Sequence, residues 1–332
     1  MVSLALLASG SFFWWSQTPI LSPGHAPVAF TVKPGSGTRS AAQQIAAAGA
    51  PVQPYLLELL ARLTGNSARI KAGSYEIKGG VAPQGLLEQL VRGEFAQHAL
   101  TIVEGWTFGQ MRQVINAHAA LIHDTASLSD EALMAKISPD FKSPEGLFFP
   151  DTYLFAKGSS DLQVYRQAHA LMLARLDEAW QRRLPGLPYK TPYEALIMAS
   201  IVEKETGLHA ERDMIASVFV NRLRIGMMLQ TDPTVIYGMG QQFQGNLRKR
   251  DLQADTPYNT YTRGGLPPTP IALPGAAALH AALNPAQSDM FYFVSRGNGS
   301  SQFSRNLDDH NRAVNQFQRG GGKAPPAASA TK

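Results

Sequence analysis

The chain contains no cysteine. That single absence removes disulfides, thiolate catalysis, zinc knuckles and iron–sulfur clusters together. Two phosphate and metal signatures are also missing: there is no G-x-x-x-x-G-K-[ST] and no H-E-x-x-H. Gly35-Ser36-Gly37 follows a strand-like run but lacks the third glycine of a dinucleotide loop. Charge is absent from the first 32 residues, Lys33 being the first ionised side chain. The apolar run there, up to Trp15, falls short of the about 20 residues that a full membrane span needs.

The rest has ordinary soluble character. The 332 residues carry 30 Lys and Arg against 25 Asp and Glu, and 44% are hydrophobic, which excludes both a disordered chain and a multi-span membrane protein. The net charge of +5 suits an anionic partner without naming one. Arg248-Lys249-Arg250 is the only tight basic run and reads as a solvated loop, so no nucleic-acid partner is expected.

The uncharged head admits three readings. Phe12-Phe13-Trp14-Trp15 resembles an aromatic belt at a membrane interface. A signal peptide would fit the apolar length, but it lacks a basic start and a clear cleavage site. An anchor whose first turns are missing is the third. An anchor over residues 1–20 is the favoured expectation.

Beyond it, 21–29 is Pro/Gly-rich and reads as a linker. Val28–Val32 alternates like a strand. Ser40 and Gln43 have the spacing of a capping box. Helices are expected near 40–49 and 53–63, then a strand at Gly73–Ile77, giving the order β-α-α-β, and another helix over 83–91. Thr107 with Gln110 opens a further helix, and 162–184 has helical period. Thr191-Pro192-Tyr193-Glu194 is a strong helix start. Gly297-Asn298-Gly299, flanked by short apolar runs, reads as a hairpin. A polar helix follows from Leu307, and 319–332 is a low-complexity tail expected to be disordered. The fold class is therefore α+β.

Chemistry is expected where the helix from Thr191 ends. From Ala195 to Val202 it is apolar on every face and must be buried. Glu203, Lys204 and Glu205 then arrive together, and Gly207 is the expected stop. Burial and the negative end of the helix dipole both raise the pKa of a carboxylate in that last turn, which would let it donate a proton near neutrality. Glu203 shares a face with Leu196, Ala199 and Ser200, and the small side chains of the last two would leave room for a ligand; Glu205 faces the side of Met198 and Ile201. The alternative is that both acids simply emerge into water. Gln230-Thr231-Asp232 and Tyr258-Asn259-Thr260-Tyr261 offer the aromatic faces, amides and hydroxyls that a sugar site wants, or merely loops that satisfy their own backbone. Glu203, Glu205, His209 and Glu211 could crowd a metal, but Gly207 breaks the spacing; neither a metal nor a cofactor is expected.

Several unusual strings recur in order: E-G-L-F-F-P-D-T-Y from Glu145, A-S-I-V-E-K-E-T from Ala199, E-R-D from Glu211, V-F-V-N-R-L-R-I-G-M from Val218, L-Q-T-D-P-T-V-I-Y-G from Leu229, Y-N-T-Y from Tyr258 and G-L-P-P-T-P-I from Gly265. Together they closely resemble the YceG-like family of endolytic murein transglycosylases. The resemblance implies a single-pass inner-membrane anchor at 1–20, a linker at 21–29, a LysM-like βααβ subdomain at 30–98, and a mixed α+β catalytic domain at 99–318 in the periplasm. It implies non-hydrolytic cleavage of the MurNAc-β-1,4-GlcNAc bond of nascent peptidoglycan, leaving 1,6-anhydro ends. Glu203 would act as acid and then base, with Gln230, Asp232, Tyr258, Asn259, Thr260 and Tyr261 binding the sugars. The implied partners are glycan strands, the inner membrane and peptidoglycan synthases. A lysozyme-type hydrolase using Asp232 or Glu205 as a second carboxylate, and a glycan-binding scaffold without activity, are the alternatives.

Overall fold

A computed structural model describes residues 2–205 and 208–319. The helices are α1 (Val2–Gln17), α2 (Thr38–Ala47), α3 (Pro54–Leu63), α4 (Pro83–Arg92), α5 (Phe108–Ala117), α6 (Asp130–Ile137), α7 (Asp161–Gln181), α8 (Pro192–Glu205), α9 (Arg212–Arg224), α10 (Asp232–Met239), α11 (Lys249–Gln253), α12 (Ala276–Leu283) and α13 (Leu307–Val314). The strands are β1 (Val28–Val32), β2 (Gly73–Ile77), β3 (Gln97–Thr101), β4 (Leu121–Ile122), β5 (Thr152–Ala156), β6 (Ser159–Ser160), β7 (Tyr292–Ser295) and β8 (Ser301–Ser304). The chain divides into two compact units. One comprises residues 1–99, 119–122 and 154–160; the other comprises 100–118, 123–153 and 161–332.

The first unit is built on an antiparallel β1–β2 pair, with Phe30 opposite Tyr75 and Val32 opposite Gly73. Alternation sends Phe30, Val32, Tyr75 and Ile77 inward, where Phe30 and Tyr75 stack at 5.5 Å. The buried faces of α2, α3 and α4 close this core through Ile45, Leu57, Leu86 and Leu90. The β-α-α-β order is therefore present. The expected capping box at Ser40 is not. α2 begins two residues earlier after Gly37, without a side-chain cap, and the Ser40 hydroxyl accepts from Gln44 instead.

The head is more tightly held than a free linker. The Ile20 amide donates to the Val81 carbonyl and the Gly80 amide to that of Leu21, both at 2.8 Å. A Cβ on Gly79 would lie 2.6 Å from the Ser22 carbonyl, so this close approach requires glycine. Phe12 and Trp15 pack against the first unit's core, while Phe13 and Trp14 stay exposed. Half of the expected aromatic belt is thus used for packing. Among the described residues no helix is long and apolar enough to cross a membrane.

In the second unit, α8 is the central element. Every residue from Ala195 to Val202 is buried, and α12, α9 and α7 pack around it. Its start follows the sequence: the Thr191 hydroxyl accepts from the Glu194 amide at 3.2 Å, and Pro192 is the first helical residue. Thr107 and Gln110 cap α5 reciprocally, at 3.3 and 2.9 Å. β7 and β8 form the expected hairpin, turning through Gly297 and Gly299 at positive φ. The glycine expected to stop α8, Gly207, and all but the first residue of the tail lie outside the described residues.

Ile45 is fully buried between α2 and the strands. Ile45→Ala is expected to cost about 2–5 kcal/mol, read as a lower urea midpoint of unfolding.

Candidate active site

The two glutamates at the end of α8 are two positions apart, which is about 200° around a helix. They therefore enter different surroundings. Glu203 turns into a closed contact. Its carboxylate accepts from the Gly275 amide at 2.9 Å and pairs with the Arg212 guanidinium at 3.5 Å. Both side chains of that pair are nearly closed off, Arg212 at 6% and Glu203 at 7% exposed. The small residues expected to leave ligand space beside Glu203 make room for protein instead. The Ser200 hydroxyl donates to the Ile197 carbonyl at 2.7 Å and accepts from the Ile271 amide at 3.0 Å. The segment Ile271–Leu273 lies buried there, tied to the chain at Gly105 and Trp106 by two backbone bonds.

Glu205 instead lines a cleft of about 600 Å3 with Gln230, Asp232, Tyr261, Arg222, Tyr292 and His310. Three of the six residues expected to bind sugar are thus gathered around Glu205, not Glu203. The Thr231 hydroxyl donates to the Glu205 carboxylate. Tyr261 donates to Asp232 at 2.6 Å. Burial holds the Glu205 carboxyl above the usual carboxylate range; the nearby Asp232 charge adds to this, while the Thr231 bond and the Arg222 charge oppose it. Arg222 is fixed from behind, donating to the Phe291 carbonyl at 2.7 Å and the Leu229 carbonyl at 2.6 Å. Gln230 has φ of 49°, the one positive value among the described non-glycine residues. Such strain persists only where surrounding contacts over-determine it; here the Gln230 amide donates to the Thr260 carbonyl at 3.0 Å.

Two expected sugar contacts prove internal. Asn259 is fully buried, and its amide donates to the carbonyls of Leu252 and Ala254 at 3.1 and 2.6 Å. Thr260 is buried too, accepting from the Thr231 amide at 3.1 Å and bonding the Thr234 hydroxyl at 2.9 Å. Asn259 thus ties the loop to the end of α11 and Thr260 ties it to the start of α10, so their polar groups are consumed within the protein. Tyr258 lines a separate cleft of about 930 Å3, together with Lys204, Tyr237 and Glu145.

Glu145 carries a signal that sequence reasoning passed over, although it opens one of the recurring strings. It is 4% exposed. It accepts from the Phe108 amide at 2.9 Å and from the Tyr237 hydroxyl at 3.1 Å. Burial, partly offset by these bonds, pushes its carboxyl up to about 7. Thr231 and Arg222 were likewise legible only as parts of strings, because their partners are distant in sequence.

Comparison with known proteins now bears on these positions. The YceG-like family profile matches residues 30–316. The chain belongs to the YceG-like family. An endolytic murein transglycosylase of Bacillus subtilis is 33% identical over 270 residues, covering 74% of this chain and 73% of the relative. One from Streptococcus pneumoniae D39 is 28% identical over an alignment of 354 positions, covering 95% of this chain but 63% of its own length. A crystal structure of a yceG-like protein from Listeria monocytogenes superposes with a TM-score of 0.55 at 28% identity, covering 86% of this chain and 98% of that one. The family match spans both units, and every residue lining the 600 Å3 cleft except Gln318 falls within it.

Because the folded state raises the Glu145 pKa from 4.5 to about 7, it binds a proton there that the unfolded chain releases. The stabilisation is full below about 4.5 and lost as pH rises to about 7. Glu145→Gln should remove that slope: its thermal midpoint relative to the parent should rise between pH 5 and pH 8 in calorimetry.

Proposed function

We propose that the protein is an endolytic lytic transglycosylase of peptidoglycan in which Glu205 is the acid and base. The observation that carries this reading is a carboxyl, raised by burial and held by the Thr231 hydroxyl, facing a polar and aromatic cleft. The names of the relatives supply the substrate class. Protonated Glu205 gives its proton to the glycosidic oxygen as the bond to the muramic anomeric carbon breaks. The muramic 6-hydroxyl attacks that carbon and passes its proton to the Glu205 carboxylate. The products are a free 4-hydroxyl on GlcNAc and a 1,6-anhydro muramic end, with no water consumed. One carboxyl serves both steps, whereas most glycoside hydrolases use two.

Glu203 is then a structural acid, binding the Gly275 turn and Arg212 to the helix end. This departs from the resemblance, which put the acid at the first glutamate of the string. Gln230, Asp232 and Tyr261 contact the sugar; Asn259 and Thr260 shape the loop that carries Tyr261. A hydrolase reading survives because Asp232 lines the same cleft as Glu205. The LysM-like character of the first unit, an anchor in the inner membrane, a periplasmic location and contact with peptidoglycan synthases belong to the same proposal. The β-α-α-β order supports the first of these, the relatives' names as murein enzymes support action outside the cytoplasm, and the anchor rests on the uncharged, aromatic head of the sequence.

The test is mass analysis of products from uncrosslinked glycan. The parent protein should release anhydro ends, lighter by one water than reducing ends; reducing ends alone would establish the hydrolase. Glu205→Gln should lose at least about 100-fold in turnover with its fold intact. Glu203→Gln should lower thermal stability while its folded fraction keeps turnover within tenfold of the parent. The reverse pattern would return the catalytic role to Glu203.

A further inference from the structure

We propose that the 930 Å3 cleft beside Glu145 holds uncharged N-acetylhexosamine units of the glycan strand, continuing the strand beyond the cleft of Glu205. This rests on the proposed transglycosylase reading and extends it. The two clefts are lined by different residues of the same three elements. At the end of α8, Lys204 lines one and Glu205 the other. Along α10, Asp232 lines the first, and Pro233, Ile236 and Tyr237 line the second. In the loop after Pro257, Tyr261 faces the first and Tyr258 the second. Three elements each contribute neighbouring residues to both, so a linear polymer leaving the first cleft meets the second.

The lining has the chemistry of sugar contact. Tyr237 and Tyr258 meet edge to face at 4.9 Å and are half-buried, presenting flat apolar surface with a polar tip. The Tyr258 hydroxyl is fixed by Thr269 at 2.9 Å. Gln110 and Gln113 on α5 and Gln241 beyond α10 bring amides for hydroxyls and acetamido groups. Glu145 forms a fixed floor, binding the first turn of α5 to Tyr237. The charge balance disfavours an anionic occupant such as a stem peptide. Lys204 is the one cation among the lining residues, and its ammonium already donates to the Gly105 carbonyl at 3.1 Å, so the lining offers an anion a single, already bonded cation; Asp130 is neutralised by its pairing with Arg112. The volume lies near the upper end for ligand sites, enough for more than one sugar.

Gln113 is exposed on α5, so a tryptophan there obstructs the cleft without entering the core; Gln241, exposed just beyond α10, allows the same with Gln241→Trp. The first measurement is calorimetric titration of the catalytically silenced Glu205→Gln protein with a peptide-free, eight-sugar glycan strand. Adding Gln113→Trp or Gln241→Trp should weaken binding at least tenfold, with the circular dichroism and thermal midpoint of the parent. In the active protein, either change should raise KM for long strands about tenfold, with kcat altered less than twofold and anhydro ends still produced. Unchanged affinity and KM in both folded variants would overturn the second-cleft proposal while leaving the Glu205 reading standing. So would stem peptide alone binding in a manner that Gln113→Trp abolishes. A fully active Glu205→Gln protein would instead overturn the underlying reading, whatever the tryptophans do.

Discussion

A helix that is buried on every side can present chemistry only at its ends. α8 is such a helix: eight consecutive residues, Ala195 to Val202, are closed in by α7, α9 and α12. The first ionisable groups after this run emerge within a single turn, where the 100° step between residues deals them to different sides. Glu203 meets the Gly275 turn and Arg212, Lys204 meets the Gly105 carbonyl, and Glu205 meets the 600 Å3 cleft. Everything about the site follows from that distribution. The Pro-rich segment that covers Ser200 decides which acid is sealed and which is open.

That decision was not legible locally. Periodicity correctly marked α8 as buried and its last turn as the place of interest, and it correctly placed the two glutamates on different faces. Which face is open depends on where a segment some seventy residues later lies, and no local pattern encodes this. The small residues Ala199 and Ser200 were ambiguous for the same reason, since small side chains admit backbone as readily as ligand. Elements set by local chemistry fared better. The reciprocal cap at Thr107, the start at Thr191, the glycine-turned hairpin and the β-α-α-β order all depend on residues a few positions apart. The loop Tyr258–Tyr261 shows both cases within four residues. Its two tyrosines face clefts, whereas Asn259 is consumed by nearby carbonyls of Leu252 and Ala254 and Thr260 by the distant Thr231 and Thr234.

Glu145 illustrates how a buried acid can be structural in its bonds and still chemically poised. It accepts from a helix-start amide and a phenol, yet burial outweighs both and leaves it close to neutrality. Glu205 is raised for the same first reason, with one hydroxyl donor and a guanidinium nearby. Two carboxyls raised by burial, one bonded by Thr231 just before α10 and the other by Tyr237 within it, give the second unit a pair of proton-holding groups in two clefts.

The backbone at Gln230 bears on any effort to harden this protein. A glycine there would adopt the same φ without steric cost, so a stability-guided redesign that scans for left-handed residues would nominate the substitution. The gain would be offset in part by greater freedom in the unfolded chain. It would also remove an amide from the cleft wall beside Glu205. The position is thus one where thermal robustness and substrate contact compete for the same side chain, and where a sequence optimised for folding alone would diverge from one optimised for turnover.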